Sequence, residues 1–174
     1  MLVYLLLFSL ACVLYYSKNN KANLIFTAFT ILTICTAGFR DMIGGFDVYI
    51  YSQVYESSIL TIDNFQIFEP GFVIFYRILN YVNSDRAFMF FMVSVIILGW
   101  HYYFFKKLSI WPYFTMFIFF CKFYLMSFVY LRQGIAMVLV LWAVSYLVQK
   151  KYLLTLLISI LAFFFHKSVV IFIP

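Results

Sequence analysis

The sequence predicts an all-α, polytopic transmembrane bundle of about six spans, with one short re-entrant or interfacial helix. Three observations predict it. Of 174 residues, 67% are hydrophobic and 10% charged, against ~45–50% and ~25% in an average soluble domain. The apolar residues gather in long runs that approach the ~20 residues a helix needs to cross a bilayer. Lysines flank these runs in short loops. No soluble fold of this size has interior enough for that much apolar surface. Disorder is excluded by the same composition, and collagen-like or low-complexity chains by six Gly and three Pro.

The runs lie at about 1–17, 22–39, 86–105, 110–129, 133–149 and 152–165, with a shorter one at 70–82. The first lacks a basic n-region and a small-x-small cleavage site. Ser9-Leu10-Ala11-Cys12 looks faintly like a lipoprotein box, but Val13-Leu14-Tyr15-Tyr16 carries the run on, so it reads as an uncleaved span. Cys12, Cys35 and Cys121 sit inside apolar runs with no CxxC or Cys/His grouping, which makes them packing residues; no metal or cofactor is expected.

Lys18 and Lys21, Lys106-Lys107 and Lys150-Lys151 occupy three loops that hold no acid. The positive-inside rule makes all three cytoplasmic. The chain then starts outside, reaches the outside again at Arg40, goes in over 86–105, out over 110–129, in over 133–149 and out over 152–165. The segment at 70–82 must make no net crossing. It opens on Glu69-Pro70-Gly71, where Pro suits a first helical turn. The +6 charge is thus an orientation signal, and nucleic acid is not an expected partner.

The four arginines (Arg40, Arg77, Arg86, Arg132) fall on or near the outer side, against the positive-inside trend. So do all six acids: Asp41, Asp47, Glu56, Asp63, Glu69 and Asp85. Lys122 and Lys167 depart from the lysine pattern. Charge placed this way predicts a polar site at the outer face. Residues 167–174 open a new apolar run, so residues 1–174 read as one transmembrane domain, the N-terminal part of a longer protein.

The densest motif runs from Gly38-Phe39-Arg40-Asp41 through Gly44-Gly45-Phe46-Asp47 to Tyr55-Glu56. Its glycines permit sharp turns. Asp47, Tyr51 and Tyr55 recur at i, i+4, i+8, with Tyr49, Gln53 and Glu56 on an adjoining face. Rings beside carboxylates suit sugars, although tyrosines also anchor helices at membrane surfaces. Arg132, before Gln133-Gly134, either grips phosphate with its planar fork, or snorkels to outer headgroups, or pairs with Asp47 or Glu56. His166, after Phe163-Phe164-Phe165, is either a general base or an interfacial cap. His101 and Lys122 read first as packing and snorkelling residues. No P-loop, GxGxxG, HExxH or nucleophile elbow is present, which points to a substrate already activated and membrane-embedded.

The series GFRDMIGGFDVYIYSQVYE, FEPGFVIFYRILN, YLRQGIA and FFFHKS resembles the EpsG family of polysaccharide-biosynthesis proteins, relatives of Wzy-type O-antigen and capsule polymerases. The resemblance covers roughly residues 30–174. It implies a multi-pass protein of the bacterial inner or plasma membrane, its N-terminus outside, with part of a GT-C-like glycosyltransferase fold. It implies polymerisation of undecaprenyl-pyrophosphate-linked oligosaccharide repeats at the outer face, for exopolysaccharide, capsule or O-antigen. Other polysaccharide assembly proteins are implied as partners beside the bilayer itself. By motif, Arg40 and Arg132 would hold the pyrophosphate, with Tyr51 and Tyr55 in the binding site. Asp47, Glu56 and His166 would be the catalytic groups, orienting or deprotonating the acceptor hydroxyl, while Glu69 and Arg77 shape the pocket. Such chemistry needs negative charge stabilised on departing phosphates and a base near the incoming hydroxyl, and no metal is required.

Two other readings compete. A transporter or flippase of a lipid-linked glycan would place charge at the midplane on broken helices and show internal repeats. A non-catalytic membrane subunit of an assembly complex would need no reacting groups at all.

Overall fold

The computed structural model describes residues 22–57 and 68–172, together with Phe8. The first apolar run, the Lys18–Lys21 loop and Asp63 lie outside these residues. Within them the chain forms helices joined by turns and short loops, with no strand. Helix α1 (Ala22–Gly38) carries Thr30, Thr33 and Thr36, whose hydroxyls bond the carbonyls four residues back, so polar groups are satisfied without breaking the apolar run. A turn through Gly44 and Gly45 at φ 140° and 86°, open to glycine alone at low cost, leads into α2 (Phe46–Glu56). That helix buries Val48, Tyr51, Ser52 and Tyr55 and exposes Asp47, Tyr49, Gln53 and Glu56. The paired faces expected from the sequence therefore divide differently: Tyr51 and Tyr55 turn inward and Asp47 does not follow them.

Helix α3 (Pro70–Val82) begins with Pro in its first turn and buries Phe72, Val73, Tyr76 and Leu79. Helix α4 (Arg86–Leu108) is capped by Asp85, which accepts from the Ala87 N–H at 2.8 Å, and contains a π turn at Val95–Gly99. Its last turn holds Lys106 and Lys107, favourable at a C-terminus. Helix α5 (Pro112–Lys122) is followed by a 3₁₀ turn at Met126–Phe128. Helices α6 (Leu131–Val148) and α7 (Tyr152–Phe165) form a hairpin turning at Lys150, φ 60°, and a 3₁₀ segment (Lys167–Phe172) follows.

Among the described residues two helices, α4 and α6, are long and apolar enough to cross a membrane; Asn23–Gly38 and α7 are apolar but shorter. The run at 110–129 departs most from expectation. It gives 11 helical residues and then a break, about 16 Å of helix at 1.5 Å per residue, far short of a ~30 Å hydrocarbon core. Tertiary bonds explain the break. Tyr124, just past α5, pairs its hydroxyl with Thr36 and donates to the Thr33 carbonyl, and the Phe128 carbonyl accepts from Arg40.

Register follows from packing. Lys106 lies over the ring of Phe26 and Gly38 seats against Phe91, so α4 runs antiparallel to α1. Gly134 seats on Ile97, and Trp142 packs on Trp100 and Phe104, so α6 runs parallel to α4. The start of α6 is level with Ser94, about eight residues or 12 Å below the start of α4. One end of the bundle thus carries Arg40, Asp41, Glu56 and Arg86, and the other carries Lys106, Lys107, Lys150 and Lys151.

Helices α3 and α7 meet at Gly71, where an added Cβ would stand 2.8 Å from the Phe164 carbonyl oxygen. Backbone cannot swing aside as a side-chain tip can. Gly71→Ala should therefore lower stability by about 1–3 kcal/mol, read as an earlier thermal unfolding transition of the detergent-solubilised protein.

Candidate functional site

Glu69 stands before α3, its backbone extended and its carbonyl accepting from the N–H groups of Phe72 and Val73. Because Pro70 fixes the helix start, the Glu69 side chain is free to leave the helix axis. It reaches across to α6 and to the end of α7. Arg132 Nη1 donates to Glu69 Oε2 at 2.5 Å, and His166 Nδ1 donates to Glu69 Oε1 at 3.0 Å. Arg132 Nε donates to the Tyr51 hydroxyl at 3.0 Å. The guanidinium also lies over the rings of Phe68 and Tyr51, 5.1 and 5.8 Å from their centroids. Four elements converge here: α2, the start of α3, the first turn of α6 and the end of α7.

The geometry fixes what remains available. A carboxylate only accepts, so Nδ1 of His166 carries a proton, and in the neutral ring the lone pair is at Nε2. Arg132 has two of its nitrogens committed, which sets the guanidinium plane and leaves Nη2 to donate elsewhere. Glu69 is 8% exposed, while the Arg132 and His166 side chains are about a quarter exposed. The carboxylate is the buried hub, and Arg132 and His166 are its accessible faces. Burial pushes the Glu69 carboxyl up, but its own backbone N–H, Arg132 and His166 outweigh burial and hold it below the usual carboxylate range. Burial also raises the Tyr51 phenol, more than the guanidinium lowers it, so Tyr51 is a neutral acceptor.

The other sequence-predicted residues lie apart from this cluster. Arg40 is 6% exposed, with Nη2 donating to the Phe128 carbonyl at 2.6 Å and its guanidinium between the rings of Phe90 and Phe128. It ties the α1–α2 turn to the approach of α6. Tyr55 donates to the Asn83 carbonyl, and Asn80 donates to the Tyr55 carbonyl at 2.7 Å. Burial and the nearby Asp85 charge push the Tyr55 phenol up to about 12. Glu56 and Asp41 face Arg86 at 3.7 and 3.4 Å on the exposed rim, a setting where ion pairs contribute little. Asp47 is exposed one turn before Tyr51, and Arg77 is exposed on α3. Arg132 pairs with Glu69, not with Asp47 or Glu56. Phe68, the ring under Arg132, and the central position of Glu69 were not singled out by sequence reasoning; an acid flanked by Phe68 and Pro70 at a helix start was the available signal. Among the described residues no three His, Cys, Asp or Glu side chains gather as a metal site requires.

A buried acid shared by an arginine and a histidine, set in an apolar helical bundle, defines a membrane protein with a polar site recessed below one end. A sequence model of the EpsG family matches residues 23–174, and the chain belongs to that family. Membership links it to polysaccharide biosynthesis. No curated protein and no solved structure matches the chain.

The depressed Glu69 value gives a signed pH prediction. A carboxyl with a folded-state pKa below the unfolded value of about 4.3 stabilises fully above that value. The contribution is lost as pH falls through the folded-state value. Unfolding temperatures of Glu69→Gln should be lower than wild type near neutral pH, by the equivalent of about 1–3 kcal/mol for the orphaned partners. The gap should close as pH falls from the unfolded value through the lower folded-state value.

Proposed function

We propose that the chain is part of a glycan polymerase that joins undecaprenyl-pyrophosphate-linked oligosaccharide repeats at the outer face of a bacterial cell membrane. In this reading the arginine end faces out and the lysine ends face the cytoplasm. The N-terminus starts outside, about six spans cross, and residues 70–82 make no net crossing, in an arrangement akin to part of a GT-C fold. The observation that carries the reading is the Arg132–Glu69–His166 cluster, which presents a phosphate-binding edge and a base side by side.

The chemistry follows from the free positions. An acceptor hydroxyl oxygen attacks the anomeric carbon of the donor sugar, and the bond from that carbon to the pyrophosphate oxygen breaks. His166 Nε2 takes the hydroxyl proton while Glu69 holds the ring, an orienting role like that of the acid in a nucleophile–histidine–acid triad. The imidazolium that forms is stabilised by the same carboxylate. Arg132 Nη2 donates to the departing phosphate, its plane already set by Tyr51 and Glu69, so little reorganisation is needed as charge develops. Asp47 and Tyr49, exposed on α2, offer a carboxylate and a ring to sugar hydroxyls and C–H faces approaching from outside.

Arg132→Lys keeps the charge and loses the planar fork. In the producing cell it should abolish polymer and leave single repeats on the lipid carrier; polymer of normal length would remove Arg132 from the reaction. His166→Ala should cut the polymerisation rate by about 10²–10⁴-fold. Topology reporters at Ser84 and at Lys150 should report opposite sides, with Ser84 outside. Both on one side would overturn the proposed orientation.

A further inference from the structure

The α1–α2 turn and the approach to α6 meet at one peptide group. The Phe128 carbonyl accepts from Arg40 Nη2 at 2.6 Å. Gly44, at φ 140°, backs the same group so closely that an added Cβ would stand 3.2 Å from its oxygen and 2.5 Å from Val48 Cγ2. The Arg40 guanidinium lies between the rings of Phe90 and Phe128, 4.8 and 4.6 Å from their centroids. The Phe128 ring in turn meets Tyr124 edge-on at 5.0 Å. Both segments that leave this junction lead to the Arg132–Glu69–His166 cluster. The turn runs on into α2, which carries Tyr51. The other segment runs from Phe128 to Arg132, four residues on, in the first turn of α6. Tyr130, ahead of α6, gives that turn no side-chain cap, so its place depends on packing and on the 3₁₀ turn before it. Arg132 Nε donates to the Tyr51 hydroxyl at 3.0 Å. The two ends of this bond stand on the two elements that Arg40 joins.

We infer that Arg40 is a positioning residue for Arg132. By clamping the Phe128 peptide to the α1–α2 turn, it fixes the Tyr51–Arg132 bond and so the plane in which Arg132 Nη2 meets a phosphate. The functional half of this assignment rests on the reading of Arg132 as a phosphate-binding residue. The role that motif implies for Arg40, a direct grip on the pyrophosphate, needs an accessible edge. Arg40 is 6% exposed, with a carbonyl on one nitrogen and a ring on each face. A lysine at this position keeps the charge and can reach the carbonyl. It has no flat group to fill the space between two rings, and no fixed plane from which to hold the peptide. The consequence is large for a small displacement, because moving a reacting or binding group by about 1 Å costs up to 10²-fold in rate.

The test uses the purified, nitrogen-15-labelled protein in nanodiscs. The Arg132 Nε–H resonance, identified by its loss in Arg132→Lys, reports the bond to Tyr51. Arg40→Lys should shift it and speed its exchange with water about tenfold, the worth of one hydrogen bond. The His166 Nδ1–H signal, which reports the bond to Glu69, should stay in place. Gly44→Ala presses on the same peptide without altering any charge. It should move the Arg132 signal in the same way, and it decides the matter if Arg40→Lys does not fold. Affinity for inorganic pyrophosphate then supplies a double-mutant cycle. Arg40→Lys and Tyr51→Phe should each weaken it about tenfold, and the double variant no more than Tyr51→Phe alone, because both act through one bond. Losses that multiply would put Arg40 on the phosphate itself and overturn the proposal. A folded Arg40→Lys protein with the Arg132 signal and the affinity unchanged, and only its unfolding temperature lowered, would overturn it too. If the wild-type protein does not bind pyrophosphate, the phosphate reading of Arg132 falls, and the Nε–H signal still decides whether Arg40 positions that side chain.

Discussion

One carboxylate holds the arrangement together. Glu69 accepts from Arg132 and from His166 at once, and Arg132 in turn donates to Tyr51. Each charged group would be costly alone among apolar helices, and each is tolerable because the others are there. The consequence is mutual: α2, α3, α6 and α7 are tied to one another by one polar contact. Packing supports the cluster from below, with Tyr51, Phe68, Phe72 and Tyr76 in an unbroken series of ring contacts. Hydrogen bonds set the angle of the guanidinium, and the rings set its height.

Arg40 shows a second way of keeping a cation inside such a protein. It lies between two aromatic rings with a backbone carbonyl as acceptor, where an ammonium would be held less well because it neither stacks nor presents a flat edge. The two arginines of the sequence motifs thus have different surroundings. Arg132 has an acid and an open edge. Arg40 has rings, a carbonyl and almost no exposure, and its visible effect is to join the glycine turn to the approach of α6.

Much of the architecture was legible in the sequence, because long apolar runs bounded by lysines or proline leave few choices. The starts of α3 and α5 at Pro70 and Pro112, and the ends of α4 and α6 at lysine pairs, follow from local chemistry. The break after Lys122 was not legible. Nothing in Phe123-Tyr124-Leu125-Met126 forbids helix, and the competing bonds come from Thr33, Thr36 and Arg40, about 90 residues earlier. The faces of α2 were misjudged for a related reason. Periodicity gives the angle between Asp47 and Tyr51, but the direction of the core is set by α3. Arg132 and His166 were recognised as site residues from their types and flanks. Glu69 was recognised only as a pocket residue, since its central position depends on three chain segments meeting.

The π turn at Val95–Gly99 has a bearing on how such a helix can change over generations. In a regular α-helix, removing one residue rotates everything beyond it by about 100°, which would turn His101 and Phe104 away from their neighbours. A π turn already holds one residue in excess of the regular repeat. A deletion there closes the bulge and leaves both flanks in register. Helix α4 therefore contains one interval where length is negotiable, bounded by stretches where it is not. Tyr102, packed on Phe26 and Phe29 of α1, and Phe104, packed on Trp142 of α6, keep their places whichever length the turn takes.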